Sequence, residues 1–478
     1  MSSKGSSAPL RKGANGVLLK KFEATLQQMF SACSSSTSSP QALDALTPRY
    51  SVQPPRLSDT KIEQLVECAR DFWREGGLIS EQSDAECCAG ENNDTMSPPW
   101  PFDKHTSLPS CGHVRQPQDT NNVQPKARTT KTKTGKDKGG QGDIMSNERA
   151  WRKELQLANL IHCVLALLPE EQLTPKYFDE GTNPPIRIVD FAGGTGHLAV
   201  PLALLLPHCE VVCVDFKKWS LDLLHRRVDG CYHEATDLNV SKRMKAIPNL
   251  STYYGSIQSW ADSFDIGVSL HACGEASDWV LRKCLQQNTS FVICSCCCGK
   301  LSKDAKDPYV YHSTGGNDKK IHYPQSRMFA SLGQSPLANN NYDQQMTPDM
   351  FDELAKAADY SEVGDLRKPG NSCRRAAKSL VEWDRILFAK ECWKRKEVTS
   401  HSNGGNVILT RMLPWDASTK NDIIMGWSDG RAKPYPSTNI PVDESCDNDF
   451  QTALHHLFET AGDRTQVHFI ETNECAND

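Results

Sequence analysis

The sequence has no long hydrophobic run and no strong excess of charge of one sign. No apolar stretch approaches the roughly 20 residues that a membrane-spanning helix needs, and the first residues lack the short apolar core of a secretory signal. Lys and Arg number 54 against 59 Asp and Glu, which gives a formal charge of -5. We therefore expect no membrane partner and no global basic field that would recruit nucleic acid.

Cysteine, in contrast, is abundant, with 19 residues scattered along 478 positions. The odd count and the wide spacing do not fit a secreted disulfide framework and favour a reducing compartment. We therefore expect a cytoplasmic protein. The alternative is an organelle, because residues 1–39 are rich in Ser and carry Lys and Arg with little acid to oppose them, as a transit peptide does.

Composition divides the chain into four parts. Residues 1–79 contain two short helical patterns, and the polar residues 80–144, rich in Pro, Gly and Thr, are typical of a disordered linker. Residues 145–430 have the patterning of a folded domain with a polar insertion near 302–342, and residues 431–478 form an acidic tail. The second of the early helical patterns predicts a buried face of four residues: Ile62, Leu65, Ala69 and Phe72.

Apolar strands alternate with helical patterns through the predicted domain. Such alternation indicates a parallel sheet covered by helices on both faces, and therefore an α/β fold. The predicted strands are 186–191, 210–215, 250–254, 264–270, 291–295, 407–412 and 423–427. The predicted helices are 146–168, 197–206, 219–228, 277–286 and 376–395.

A glycine-rich turn follows the first predicted strand directly. Gly193, Gly194 and Gly196 permit positive φ and leave room for a ligand, and the helix that begins near His197 points its free N–H groups at the same space. Asp215 ends the second strand, where its carboxylate can accept hydrogen bonds from both hydroxyls of a ribose. A structural turn and a helix cap explain each feature alone, but their order along the chain favours a nucleoside ligand.

The run D-F-A-G-G-T-G-H at 190–197 resembles motif I of class I S-adenosylmethionine-dependent methyltransferases, whose usual form is D-x-G-x-G-x-G. It differs from the G-x-G-x-x-G of dinucleotide sites, and Asp190 beside the loop suits a cationic sulfonium better than a pyrophosphate. Ala192 stands where the motif usually has its first glycine.

Later segments narrow the resemblance. FDIGVSLHACGEASD at 264–278, FVICSCCCGK at 291–300, IHYPQSRMF at 321–329 and STKND at 418–422 follow in the order found in the methyltransferase domain of the glutathione S-transferase C-terminal domain-containing protein family. The chain is more distantly similar to the methyltransferase-like 25 group and to a tRNA 2′-O-methyltransferase family. The resemblance covers about residues 154–427, and no glutathione-binding domain is recognised before it.

The resemblance implies a Rossmann-like class I methyltransferase sheet of seven, mostly parallel strands, with S-adenosylmethionine as cofactor. Together with the glycine-rich turn, it predicts a cofactor site made of Asp190, Gly193, Gly194, Gly196, His197, Asp215, Tyr254, Gly255, Ser256 and Leu270. Within that set, Tyr254, Gly255 and Ser256 would lie near the adenine. Leu270 would end the strand that faces the methyl group and the acceptor.

Methyl transfer from a sulfonium requires the protein mainly to align the acceptor and to exclude water, and a base only where the acceptor holds a proton. His271 is the candidate base, Asp278 could orient it or hold the acceptor, and Cys273 is a further candidate catalytic residue. A structural hydrogen bond explains His271 equally well, and a first-turn role in a helix is the simpler explanation of Asp278.

Cys294, Cys296, Cys297 and Cys298 form a second unusual group, without the C-x-x-C spacing of a tetrahedral metal clamp. Adjacent residues on a strand point to opposite faces, so we expect packing side chains beside the acceptor pocket and no metal site. A methyl-accepting or redox-sensitive thiol is the alternative.

The sequence does not identify the methyl acceptor. RNA is slightly favoured by the distant tRNA-methylase resemblance, by a basic run at 126–138, and by a predicted basic rim of Arg374, Arg375, Lys378, Lys394, Arg395 and Lys396. Solvated surfaces are the commoner explanation of such runs. Two other functions stay open: a degenerate methyltransferase fold that binds without turnover, and a thiol-dependent redox protein.

Overall fold

The structure is a computed structural model. The residues that it describes are 57–75, 147–169, 173, 185–229, 238–301, 321–330, 348–359, 369–400, 405–413 and 421–428. The predicted linker at 80–144, most of the insertion at 302–342, the tail at 431–478 and the first helical pattern lie outside the described residues.

The described helices are α1 (Asp59–Glu75), α2 (Asn147–Ala166), α3 (Ala199–Leu205), α4 (Lys218–Asp229), α5 (Glu275–Gln287), α6 (Arg327–Ala330), α7 (Pro348–Ala358) and α8 (Pro369–Ser400). The described strands are β1 (Arg187–Phe191), β2 (Glu210–Asp215), β3 (Ser241–Arg243), β4 (Leu250–Tyr254), β5 (Ile266–Leu270), β6 (Ser290–Cys294), β7 (Gly405–Arg411) and β8 (Asp422–Ser428). Among these helices, none has the combination of length and apolar composition that a membrane crossing requires.

The strands form one sheet in the order β3-β4-β2-β1-β5-β6-β8-β7. Neighbouring strands from β4 to β6 are parallel, whereas β3 pairs antiparallel with β4, and β8 pairs antiparallel with both β6 and β7. The prediction of an α/β fold with a mostly parallel sheet is confirmed, but the predicted count of seven strands was too low. The missed strand is β3, whose three residues, Ser-Lys-Arg, are half or fully exposed and carry no apolar alternation.

Helices cover both faces of the sheet, as the buried strands require. Alternate residues of β1 point to opposite layers: Ile188 packs in the layer that holds α1, α2, α3 and α4, and Val189 packs in the layer that holds α5 and α8. Phe191 shares the second layer, where its ring makes edge contacts with Trp260 and Phe264. The sheet is therefore the middle layer of three, and its ligand site must lie at a strand end.

Helix α1 packs on the main domain through the predicted face except at its last position: Ile62, Leu65 and Ala69 are buried as predicted. Trp73 is buried, and its Nε1 donates a hydrogen bond to the Leu204 carbonyl of α3 at 2.8 Å. Phe72, which was expected to be buried, is 42% exposed. The prediction for Phe72 was wrong because two adjacent aromatic residues each fit a helical repeat, and periodicity alone does not choose between them.

The two aromatic residues give a matched test of this packing. Trp73→Ala should lower the free energy of unfolding by about 3–5 kcal/mol, because it removes a large buried side chain. Phe72→Ala should lower it by less than about 1 kcal/mol, because most surface substitutions have small effects. Urea unfolding followed by circular dichroism measures both, and equal losses would contradict the packing of α1.

Candidate cofactor site at the carboxyl edge of the sheet

The strand order creates a crevice beside β1. From β1 the chain proceeds to β2 on one side of the sheet and later to β5 on the other. Where the strand order reverses in this way, the loops that leave the two neighbouring strands diverge and open a ligand site at the carboxyl ends of the strands. The segments predicted to bind the cofactor follow β1, β2, β4 and β5, and all of them meet at this edge.

The turn after β1 has the backbone that its glycines predicted. Gly194 and Gly196 have φ of 59° and 74°, and the amide of Gly193 donates to the Val214 carbonyl of β2 at 3.1 Å. A Cβ on Gly193 would lie 2.6 Å from Asp190 Oδ2, so this position has no room for a side chain. Ala192 also has positive φ, at 56°, so the turn keeps its path although the usual first glycine is replaced.

Asp215 joins the turns after β1 and β2 at one side of the crevice. Its Oδ2 accepts the Gly194 amide at 2.9 Å, and its Oδ1 accepts the Lys217 amide at 2.7 Å. Burial raises the pKa of Asp215, and the two amides oppose that rise. Each carboxylate oxygen retains acceptor capacity for a ribose hydroxyl. Among the described residues, a Cβ on Gly194 would meet only Asp215 Oδ2, at 4.0 Å, so these residues leave open space beside the carboxylate.

Asp190 is a buried carboxylate without a hydrogen bond among the described residues. It is 1% exposed, and neither oxygen has a partner. Burial raises its pKa to about 7; Lys153 opposes this rise most, and the Ala199 amide opposes it from nearby without hydrogen-bond geometry. An unpaired buried carboxylate suits a cationic ligand, which would supply the missing charge. This site therefore fits the sulfonium and ammonium groups of S-adenosylmethionine.

His197 supports the turn from behind. Its Nε2 lies 2.9 Å from Thr195 Oγ1, and Arg227 donates to the Thr195 carbonyl at 2.7 Å. Helix α3 begins at Ala199, two residues after the predicted start, because His197 and Leu198 still belong to the turn.

The segment predicted near the adenine is fixed beside Asp215. The amide of Gly255 donates to the Asp215 carbonyl at 3.1 Å, and Ser256 Oγ accepts the Ser259 amide at 3.1 Å. Tyr254, the last residue of β4, is half-buried and accepts the Asn239 amide at 2.8 Å. The structure thus brings these three predicted residues to the same edge as the glycine-rich turn.

The end of β5 presents the candidate base. Leu270 is buried, whereas His271 is exposed, has φ of 68° and donates its amide to the Cys294 carbonyl at 3.1 Å. The thiol of Cys273 lies 3.3 Å from the His271 carbonyl. Both candidate residues therefore lie where an acceptor would approach, and their catalytic roles stay predictions.

Asp278 has partners other than His271. Its carboxylate accepts Nε and Nη2 of Arg385 at 2.7 and 2.9 Å, the Tyr323 hydroxyl at 2.7 Å and Nε2 of Gln325 at 2.7 Å. Four donors occupy the acceptor sites of one carboxylate. Asp278 therefore anchors α8 and the segment 321–330 to α5, and the idea that it orients His271 finds no support in this geometry.

The predicted basic rim needs a correction, because Lys378 is 1% exposed. Its ammonium group pairs with Glu382 and donates to Ser295 Oγ at 2.9 Å. Lys396 donates to the Gln286 carbonyl at 3.2 Å, at the end of α5, and burial lowers its pKa. Lys378, Glu382 and Arg385 form a polar stripe at helical spacing within the apolar repeat of α8, and that spacing was the available signal for a buried network.

Comparisons with known proteins identify a methyltransferase domain over the part of the chain that carries this candidate site. Residues 152–304 match a family model described as a methyltransferase domain. The glutathione S-transferase C-terminal domain-containing protein homolog of Drosophila pseudoobscura pseudoobscura is 32% identical over 285 residues, which are 59% of this chain and 37% of that protein. The Homo sapiens protein of that name is 30% identical over 285 residues, covering 59% and 34% of the two chains. This chain spans about a third of the length of these relatives.

A TehB-like SAM-dependent methyltransferase from Corynebacterium glutamicum is a similar solved structure, with 15% identity, a TM-score of 0.17, and coverage of 24% of this chain and 58% of that chain. A score this low adds nothing to the fold assignment, which rests on the strand order. The family match confirms the predicted resemblance to a methyltransferase domain, and it supports S-adenosylmethionine as the cofactor predicted for the crevice.

Asp190 yields a test of the site that needs no activity. Its raised pKa means that the folded protein binds a proton on Asp190 more tightly than the unfolded chain does. The stability gained from this proton is fully present below about pH 4 and is lost as the pH rises through about 7. In ligand-free protein at pH 8, Asp190→Asn should therefore raise the free energy of unfolding by up to about 4 kcal/mol, with a much smaller gain at pH 5.

Denaturant unfolding at the two pH values measures this difference. Asp222→Asn is the control, because Asp222 is a partly exposed carboxylate that pairs with Lys218 at 3.0 Å. It should change the free energy by less than about 0.5 kcal/mol at either pH. No gain, or a loss, for Asp190→Asn at pH 8 would show that this carboxylate has a stabilising partner.

Proposed function

We propose that this chain is an S-adenosylmethionine-dependent methyltransferase. The observation that carries the proposal is the pair of carboxylates around the glycine-rich turn: Asp215 holds the Gly194 amide beside open space, and Asp190 is buried without a hydrogen bond among the described residues. The first suits a ribose and the second suits a cation. A ligand that carries a cationic group next to a ribose is the adenosyl sulfonium.

The cofactor would supply a methyl group already activated by its sulfonium, so the chain itself has to bind, orient and exclude water. Asp215 would hold the ribose, and Gly255 and Ser256 would flank the adenine. The negative charge of Asp190 would attract the sulfonium and ammonium groups of the cofactor. His271, exposed at the end of β5, would accept the proton of the acceptor at a ring nitrogen.

RNA is the acceptor that we propose to test first. The support is the distant resemblance to a tRNA 2′-O-methyltransferase family and the basic run at 126–138. A ribose hydroxyl keeps its proton at neutral pH, which is the case in which a base such as His271 is useful. Because Lys378 is buried, the predicted basic rim supports an RNA acceptor less strongly than the sequence suggested. The proposal therefore depends more on the other basic segments.

Cofactor binding is the first experiment. Asp215→Asn removes the charge but keeps one acceptor oxygen, and it should weaken S-adenosylhomocysteine binding about 10- to 100-fold, the value of a hydrogen bond to a charged group. Isothermal titration calorimetry measures the dissociation constant, and circular dichroism verifies the fold of the variant.

Asp222→Asn serves again as the control and should leave the dissociation constant unchanged. Unaltered binding by folded Asp215→Asn would remove the carboxylate from the ribose site. No binding by the native chain would remove the enzyme proposal as a whole.

Methyl transfer is the second experiment. Native protein, labelled S-adenosylmethionine and an extract from cells that lack this protein should yield label in the RNA fraction, sensitive to ribonuclease. Label in the protein or small-molecule fraction instead would overturn RNA as the acceptor and leave the methyltransferase in place. Tight cofactor binding without label in any fraction would favour a binding module.

His271→Asn separates turnover from binding in the same assay. If His271 accepts the proton, the variant should bind S-adenosylhomocysteine as the native protein does and should lose about 10²- to 10⁴-fold in rate. An unchanged rate would assign His271 a structural role only.

A further inference from the structure

Three thiols lie together at the carboxyl edge of the sheet, in the loops after β5 and β6. The sulfur atoms of Cys273 and Cys296 lie 3.0 Å apart, and those of Cys296 and Cys297 lie 3.5 Å apart. The three sulfurs all lie within 4.8 Å of one another, and each residue is half-buried. Within the described parts of the chain, this is the one group of three or more potential metal ligands.

The sequence argument against a metal site assumed that the neighbouring cysteines lie on a strand. Strand β6 ends at Cys294, so Cys296 and Cys297 lie in the loop that follows, where the alternation of side chains does not apply. Cys273 comes from the loop after β5. The C-x-x-C spacing is not a valid criterion here either. The potential ligands follow two different strands, which are adjacent only in the folded sheet.

Backbone hydrogen bonds fix the two loops against each other. The amide of His271 donates to the Cys294 carbonyl at 3.1 Å, and the amide of Gly274 donates to the Cys297 carbonyl at 3.0 Å. Gly274 has φ of 61°, and a Cβ there would lie 2.9 Å from Lys300 Cβ, so the close approach of the loops depends on glycine. The thiols are therefore held together by the backbone on both sides of the group.

We propose that Cys273, Cys296 and Cys297 bind a soft metal ion, with Zn²⁺ as the ordinary occupant, through three thiolates. Around a tetrahedral ion with metal–sulfur bonds of about 2.3 Å, sulfur atoms lie about 3.8 Å apart. Two separations, of 3.0 and 3.5 Å, are shorter than this value, and the third is within 4.8 Å, so shifts of about 1 Å or less would complete the coordination. Three protein ligands leave a fourth position for water or for a substrate atom, as in open zinc sites.

The charge balance of this site is favourable. Binding would replace three S–H bonds by three S–metal bonds and release three protons to solvent, leaving one net negative charge on the centre. Lys300 lies close enough to Cys273 to lower the pKa of its thiol electrostatically, and the same cation would stabilise the thiolate centre. A hydrogen bond with Cys296 lowers the pKa of Cys273, but a hydrogen bond with Cys297 and burial together raise it to about 11, so the free thiol is not an activated nucleophile.

The experiment compares metal binding by the full-length chain and its variants, purified under reducing, metal-free conditions. The chain has 19 cysteines, so the measured quantity is the difference between native protein and each variant. Titration with Cd²⁺, followed by thiolate charge-transfer absorption, should give one equivalent more for native protein than for Cys273→Ser, Cys296→Ser or Cys297→Ser. Competition with a chromophoric chelator should then show that each substitution weakens Zn²⁺ binding at this site. The expected loss is at least about 10- to 100-fold, because losing a residue that only supports a metal ligand already costs that much.

Cys392→Ser is the matched control, because Cys392 is also half-buried and lies on α8, outside the thiol group. It should keep the extra equivalent. Equal stoichiometry in all proteins would overturn the proposal. A Cys273–Cys296 disulfide in the isolated protein, with no metal bound after its reduction, would overturn it in favour of a redox pair. Calorimetry with S-adenosylhomocysteine on the same samples keeps this result separate from the proposed methyltransferase function.

Discussion

On one side of the candidate crevice, the carboxylate of Asp215 joins the turn after β1 to the turn after β2. One oxygen accepts an amide from the turn after β1, and the other accepts an amide from the turn after β2. Neutral side chains would form weaker bonds here, because hydrogen bonds to charged acceptors are shorter and stronger. The direction of the glycine-rich turn depends on this carboxylate, and the backbone carbonyl of the same residue holds the amide of Gly255.

The other side of the crevice depends on a buried ion pair. Asp278 on α5 and Arg385 on α8 are both almost fully buried, and a buried pair gains little net stability once its loss of hydration is counted. Its physical role is specificity of position. Because Tyr323 and Gln325 also donate to Asp278, one carboxylate sets the place of a long helix and of the segment 321–330 relative to the sheet.

The features predicted from the sequence are those with a local cause. Strand β2 was predicted at its observed bounds, and the turn was predicted from its glycines, because burial and positive φ both leave marks in neighbouring residues. The partner of Asp278 is 107 residues away, and no local pattern identifies it. The same limit explains why Lys378 was expected on the surface although it is buried. It also explains why the group of three thiols was missed, because residues far apart in the sequence are adjacent at the edge of the sheet.

The two unusual features of this edge have a common physical form. Asp190 is a buried carboxylate without a hydrogen bond among the described residues, and the thiol group brings together three acids that cannot all ionise unaided. In each arrangement burial opposes the ionised form, and a positive charge would favour it. Since both follow from strand ends that the parallel sheet forces together, the fold places the proposed cofactor site and the proposed metal site at one edge.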